Sequence, residues 1–288
     1  MAKVSFSQYS MWSSCPHQYK LNYIDKLGES SSNVHTIFGT AMHETIQHYL
    51  SVMYGVSKKQ ADEINKDKLL LENMRKAYKS EVEKMSEGTP CTQIQLEEFY
   101  GDGRRILAWL DKHMHKFYSK SGFELVGIEI PLNAKVKEGV NFIGFVDVVM
   151  RDLSDNSIII IDLKTSTRGW NKYQKSDKYK NAQIVIYKKY YSELFQIPLE
   201  KIKVEYQIMR RKLYEDAPFP IPYISRHVPA NGKPTVNKVY TEFMNFVNEV
   251  FDDEGNYRNL AYPKVPGDRQ KNCRFCEFKT RGICDGKA

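Results

Sequence analysis

The chain has 288 residues, 41% of them apolar and 27% charged, a balance that suits a packed globular protein and argues against disorder. Apolar runs such as Ile158 to Ile161 fall far short of a bilayer span, and the opening MAKVSFSQYS lacks the apolar core of an export signal, so a cytoplasmic protein is expected and a membrane or secreted one is not. Forty-three basic against 35 acidic residues leave a net charge of +8, a surplus suited to a polyanionic partner, because each cation seated on a phosphate releases condensed counterions.

In chain order, the pattern predicts mainly helix to about residue 120. Gly39 to Met53 (GTAMHETIQHYLSVM) sets Met42, Ile46, Tyr49, Leu50 and Met53 on one 3.6-residue stripe. Lys58 to Lys84 reads as a charged, solvated helix. Gln93 to Tyr118 reads as another, with Leu96, Phe99, Ile106, Leu107 and Leu110 inward and Gly101 and Gly103 as points of interruption. Strands follow at Phe123 to Pro131, Val140 to Arg151 and Ser157 to Thr165, rich in Val, Ile and Phe, the last two joined by a polar turn, DLSDN. A basic loop over 166–180 leads to a helix over Asn181 to Phe195 and a strand over Lys201 to Arg210. Pro-rich coil, a helix near Asn237 to Phe251 and a cysteine-bearing tail complete the chain. There is no internal repeat and no clean linker. The expected organisation is a single α/β core: a helical part over 1–120, a catalytic α/β part over 121–212, and a C-terminal helix and cysteine clasp over 213–288 packed with the N-terminus.

Side chains alternate along a strand, so Ile158, Ile160, Asp162 and Lys164 share one face while Ile159, Ile161 and Leu163 share the other. An aspartate and a lysine therefore project together from the end of an apolar strand. Asp147 sits in the preceding strand between Val146 and Val148, and a hairpin brings the two carboxylates to within about 5 Å. Like charges that close must take up a proton or hold a cation. With oxygen ligands and a neighbouring lysine, hard Mg²⁺ or Mn²⁺ is the natural occupant, and the implied chemistry is phosphodiester hydrolysis, with Lys164 orienting the water. An isolated D-x-K would more simply be a structural ion pair; the strand context and second acidic strand favour the site.

Gly144-Phe145-Val146-Asp147 followed by Ile161-Asp162-Leu163-Lys164-Thr165 resembles the PD-(D/E)xK nuclease signature in its RecB-like form. Two further marks match: Gly39-Thr40-Ala41-Met42-His43-Glu44 for a helical G-x-x-x-H-E, and Gln183 with Tyr187 for Q-x-x-x-Y after the lysine strand. Phe6 to Tyr19 resembles the entry helix of these nucleases, so the marks run through the whole chain. The resemblance implies a restriction-endonuclease-like core, a mixed sheet flanked by helices. It also implies His43, Asp147, Asp162 and the Leu163 carbonyl as metal ligands, with Asp147, Asp162, Lys164, Gln183 and Tyr187 as the catalytic set. His43 by itself reads as a core histidine, and Tyr187 as packing. Glu129 is an outer-shell candidate.

Thr165 to Lys180 interleaves Arg168, Lys172 and Lys175 with Trp170 and Tyr173, a pairing suited to single-stranded nucleic acid, where cations hold phosphates and rings stack on bases. Arg210 and Arg211 form a second candidate patch. Little sequence preference is expected, since no base-reading code is visible. Cys273-x₂-Cys276-x₇-Cys284, with Cys15 from the far end, suits a [4Fe–4S] cluster or tetrahedral Zn²⁺. This split of one N-terminal and three C-terminal cysteines resembles the iron–sulfur clasp of some RecB-like nucleases. No G-x-x-x-x-G-K-[ST] phosphate loop occurs, so any helicase or recombination protein would be a separate partner. The expected function is a metal-dependent DNA exonuclease in recombination, repair or phage DNA processing within a bacterial or phage-infected cell. Alternatives are a nuclease subunit of a DNA-end-processing or CRISPR-adaptation complex, and a non-catalytic DNA-binding module.

Overall fold

The computed structural model describes residues 1–29, 32–85, 87–214 and 218–287. It has ten α-helices and six strands among these residues. The N-terminal elements are β1 (Ala2–Val4), α1 (Phe6–Ser14), α2 (Pro16–Tyr19), α3 (Val34–Gly55), α4 (Lys58–Asp62), α5 (Lys66–Lys84) and α6 (Gln93–Phe117). The sheet region comprises β2 (Phe123–Lys137), β3 (Val140–Asp152), β4 (Ser157–Ser166), α7 (Lys172–Ser176), α8 (Lys178–Phe195), β5 (Ile202–Arg210) and β6 (Ile224–His227). Last come α9 (Lys233–Val250) and α10 (Glu277–Thr280).

The six strands form one mixed sheet. β2 and β3 are an antiparallel hairpin, β3 and β4 are antiparallel, β4 and β5 run parallel, and β6 pairs antiparallel with β5. The unforeseen β1 pairs parallel with β3 through Val140 to Phe142. Because β2 runs along one whole edge of β3, β1 and β4 must share the other. β4 pairs with Val148 to Asp152, so residues 143–147 lie in a fork between the two strands. Asp147 is at that fork.

The alternation read in β4 sorts its side chains into two cores. Ile158 and Ile160 pack with α8 and α9 through residues such as Ile186 and Phe243. Ile161 and Leu163 pack with α3, α5 and α6 through residues such as Met42, Leu70 and Leu107. The sheet is therefore a middle layer with helices on both faces, the architecture expected from the sequence.

Several boundaries differ from the sequence reading for identifiable reasons. The α3 helix begins five residues early because the Asn33 side chain accepts from the His35 and Thr36 N–H groups. The single helix expected over 58–84 is two, since Asn65 caps a new helix through the Lys68 N–H. Gly101 and Gly103 do not interrupt α6. At Gly103 a Cβ would lie 2.6 Å from Leu70 and 3.1 Å from Phe38, so the glycine permits close helix packing. The basic loop is partly helical: Asn171 caps α7, and Asp177 caps α8. The coil predicted after Arg210 contains β6, and its residues 215–217 lie outside those described. No helix among the described residues is long and apolar enough to cross a membrane.

The two arginines at the end of β5 are not a free basic patch. Arg211 pairs with buried Asp102 of α6 at 2.5 Å and with Glu98 at 3.0 Å, and its guanidinium covers the Phe99 ring at 3.7 Å. Lys212 and Arg105 join the same carboxylate. Arg210 donates to the Pro222 carbonyl and packs against Gly169. Both serve to join β5 to its neighbours. Asp102→Ala should destabilise the fold by about 3 kcal/mol in denaturant titration, because it removes the buried carboxylate shared by three cations and leaves a nearly buried guanidinium only the half-exposed Glu98. A loss below about 1 kcal/mol would contradict that role.

Candidate active site

Three elements converge on the fork in the sheet. The third turn of α3 carries His43, β3 carries Asp147, and β4 carries Asp162, Leu163 and Lys164. His43 Nδ1 lies 3.6 Å from Asp147 Oδ2, and that same carboxylate oxygen accepts the Leu163 N–H at 2.7 Å. Lys164 Nζ lies 2.7 Å from Asp162 Oδ2. The lysine contact is Coulombic without hydrogen-bond alignment, for Asp162 Oδ2 is a buried oxygen with no hydrogen-bond partner. The residues that sequence reading drew from segments more than a hundred positions apart are thus neighbours.

The electrostatics follow from burial. Desolvation raises Asp162 to about 6, against the pull of Lys164 and with the help of Asp147. Asp147 is raised to about 6 chiefly by burial, opposed by Lys164 and by the Leu163 N–H. Burial lowers His43 to about 4, so its imidazole is neutral at physiological pH, the state required of a ligand. For Lys164, burial favours the neutral amine, but Asp162 and Asp147 outweigh it, and the ammonium is held above its ordinary value.

These groups suit a hard divalent cation in donor chemistry: two neighbouring carboxylates held out of water, and a neutral imidazole beside one of them. They are not gathered into a ready cluster. Among the described residues no three His, Cys, Asp or Glu side chains form a group able to hold a metal as they stand. The physical reason is visible: Asp147 is turned onto the Leu163 N–H and Asp162 onto Lys164.

Helix α8 brings Gln183 and Tyr187 to the same place. Gln183 Nε2 donates to the Tyr187 hydroxyl at 3.2 Å, as the i, i+4 spacing predicts. Gln183 lines a cleft of about 870 Å³ together with Lys164, Thr165 and Trp170. Gly144 leaves room for Tyr187, since a Cβ there would sit 2.9 Å from the tyrosine ring and 3.2 Å from Phe142. Gly144→Ala should therefore displace the Tyr187 ring and cost about 1–3 kcal/mol of stability. A melting curve unchanged from wild type would show that the ring has room to spare.

Sequence reading missed Gln47, one turn beyond His43. Its buried side-chain amide donates to Glu129 at 2.6 Å and to the Asp147 carbonyl at 3.1 Å, tying α3 to both strands of the hairpin. Glu129 has a left-handed backbone (φ 50°), an unusual conformation for this residue type, opposite the Asp147 position of β3. No sequence signal marks Gln47, because a polar residue on a helix stripe is ordinarily solvated.

The basic segment after β4 divides. Trp170 packs on Tyr206 and His227 at ring distances of 4.9 and 5.8 Å, yet still lines the cleft. Tyr173 is 72% exposed on α7, with Lys172 near its ring, and Lys175 lies on the same short helix. Arg168 covers the exposed Tyr214 ring at 4.9 Å. Across the molecule, Cys15, Cys273, Cys276 and Cys284 line one small cavity, and the Val265 N–H donates to Cys15 Sγ at 3.4 Å. The tail is fastened there by Asn272, which donates to the Ser14 and Val265 carbonyls, and by Arg281, which donates to the Leu27 carbonyl at 2.7 Å.

A family model described as the PD-(D/E)XK nuclease superfamily matches residues 3–285. No curated protein matches in sequence. Among solved structures, one described as a "Putative exonuclease" from Eubacterium rectale aligns with 84% of this chain and 77% of its own, at 11% identity and a TM-score of 0.46.

Proposed function

Because the chain belongs to the PD-(D/E)XK nuclease superfamily, we propose that it is a divalent-metal-dependent deoxyribonuclease, an exonuclease acting on single-stranded or end-resected DNA. The observation that carries this reading is the Asp162–Lys164 pair: a buried carboxylate 2.7 Å from an ammonium, beside a second, largely buried carboxylate.

His43, Asp147, Asp162 and the Leu163 carbonyl would hold Mg²⁺ or Mn²⁺, which supplies Lewis-acid polarisation of a phosphate and a lowered pKa for water. Lys164, charged throughout the physiological range, orients the attacking water and offsets charge developing on the phosphate. Gln183 and Tyr187 hold the lysine from the side of the cleft and offer donors to a phosphate oxygen. Gln47 keeps Glu129 and the Asp147 backbone in place. Arg168, Lys172, Lys175, Trp170 and Tyr173 are assigned to strand binding in this reading, supported by Trp170 lining the cleft beside Lys164 and by the exposure of Tyr173.

Cys15, Cys273, Cys276 and Cys284 suit four-thiolate ligation of a [4Fe–4S] cluster, or alternatively Zn²⁺, fastening the two ends of the chain. Closing so long a loop restricts the unfolded chain heavily, so the clasp contributes to stability whichever metal is held. Purified protein that is brown favours iron; colourless protein containing zinc favours the alternative. Cytoplasmic action with a separate helicase or recombination protein fits the absence of an ATP motif from the sequence.

The decisive experiment is digestion of end-labelled single- and double-stranded DNA with Mg²⁺, Mn²⁺ or EDTA. Metal-dependent release of short products from one end is expected. Tight binding without cleavage under every metal would instead identify a non-catalytic binding module.

A further inference from the structure

The cleft beside Lys164 has a second wall that the catalytic residues do not explain. Its far side is built from the C-terminal tail, with Gly267, Asp268, Lys271 and Asn272 facing Ser10 and Ser14 of α1. Residues 264–287 carry seven basic and three acidic side chains. Some of those cations are occupied: Lys264 pairs with Asp285, and Arg281 with Glu29 and Glu277. Arg269, Lys271 and Arg274 form no ion pair among the described residues, and Lys271 lines the cleft itself. Four residues on, Phe275 is 88% exposed, far more than folding accounts for in an aromatic ring, and Arg274 stands 5.2 Å from its centroid.

A cation on the cleft that holds Lys164, with an uncovered ring four residues further along the tail, matches the two needs of single-stranded nucleic acid: neutralised phosphates and a flat surface for unstacked bases. A duplex supplies the phosphates but keeps its bases stacked within. We propose that Lys271 and Phe275 form a strand-holding subsite, Lys271 seating a phosphate inside the cleft and Phe275 stacking on a base beyond it. The substrate chosen at this wall is then a single strand. The inference rests on the nuclease reading and names the substrate class of that site.

The test is fluorescence anisotropy of labelled oligo(dT) and of a blunt duplex in EDTA, so that no strand is cut, over a KCl series. Lys271→Ala should weaken oligo(dT) binding and reduce the slope of log affinity against log salt by about 0.7. Phe275→Ala should weaken it by about fivefold or more, Phe275→Leu similarly, while Phe275→Trp restores it. Duplex binding should change little with the Phe275 variants. Both side chains are exposed, so melting temperatures should match wild type and loss of binding is not loss of fold. If wild type cuts DNA but these variants bind oligo(dT) as wild type does, or Phe275→Leu binds as well as Phe275, the subsite is overturned and the nuclease reading stands. If wild type neither binds nor cuts DNA with any metal, the nuclease reading itself fails.

Discussion

Lys164→Ala should fold normally and cleave about 10²–10³-fold more slowly, with metal affinity much less affected. The size follows from removing one preorganised charge aimed at a developing phosphate charge. The fold should survive because the lysine is about one-third exposed, and its partner Asp162 is able to take up a proton more readily than an ordinary carboxylate. Asp162→Ala should be at least as damaging and should also weaken Mn²⁺ binding, which calorimetry reads without any turnover. The contrast between the two variants is the informative result. If Lys164→Ala kept wild-type rates, the lysine would be a structural partner of Asp162 and the assignment of the site would be wrong.

The second large effect is on pH. Asp147 and Asp162 are both raised to about 6, and both must shed protons before a cation can be held between them. At subsaturating metal, log activity should therefore climb with a slope approaching two below pH 6 and flatten above it. Activity at pH 5 falls to about one hundredth of its high-pH plateau on this account, about 30-fold of that between pH 6 and pH 5. Stability moves the other way. Carboxylates that titrate higher in the folded than in the unfolded chain favour folding below the unfolded value near 4, and this contribution is lost as pH rises through 6. Mn²⁺ should offset that loss, so its effect on the melting temperature should be larger at pH 8 than at pH 5. Equal thermal shifts at both pH values would mean that the cation binds elsewhere.

Much of this site was legible because period-two alternation is a strong local rule. Once Ile158 to Lys164 reads as a strand, Asp162 and Lys164 must share a face, and the hairpin must bring Asp147 alongside. The α3 stripe similarly put His43 on the edge of a buried face. What local rules could not supply were partnerships formed at long range. Three residues at Ala2–Val4 are too short to announce a strand and become one only by pairing with β3. Gln47 is an ordinary polar residue until β2 and β3 present it with two acceptors. Arg210 and Arg211 resembled a free basic patch because Asp102 and Glu98, which engage Arg211, come from a helix a hundred residues earlier. The glycines in α6 resembled breaks because their value lies in what packs against them.

The fork in the sheet has a consequence for how the protein tolerates change. A continuous sheet insulates the layers on its two sides, so that mutations in one core leave the other undisturbed. Where β1 and β4 part company along β3, that insulation is interrupted. His43 and Gln47 reach Asp147 from α3 on one side, while Tyr187 belongs to the core on the other and packs against Gly144 of the same strand. Evolution of either core is therefore answerable to the same few atoms, and paired substitutions at Gln47 and Tyr187 should be non-additive although they belong to opposite sides of the molecule.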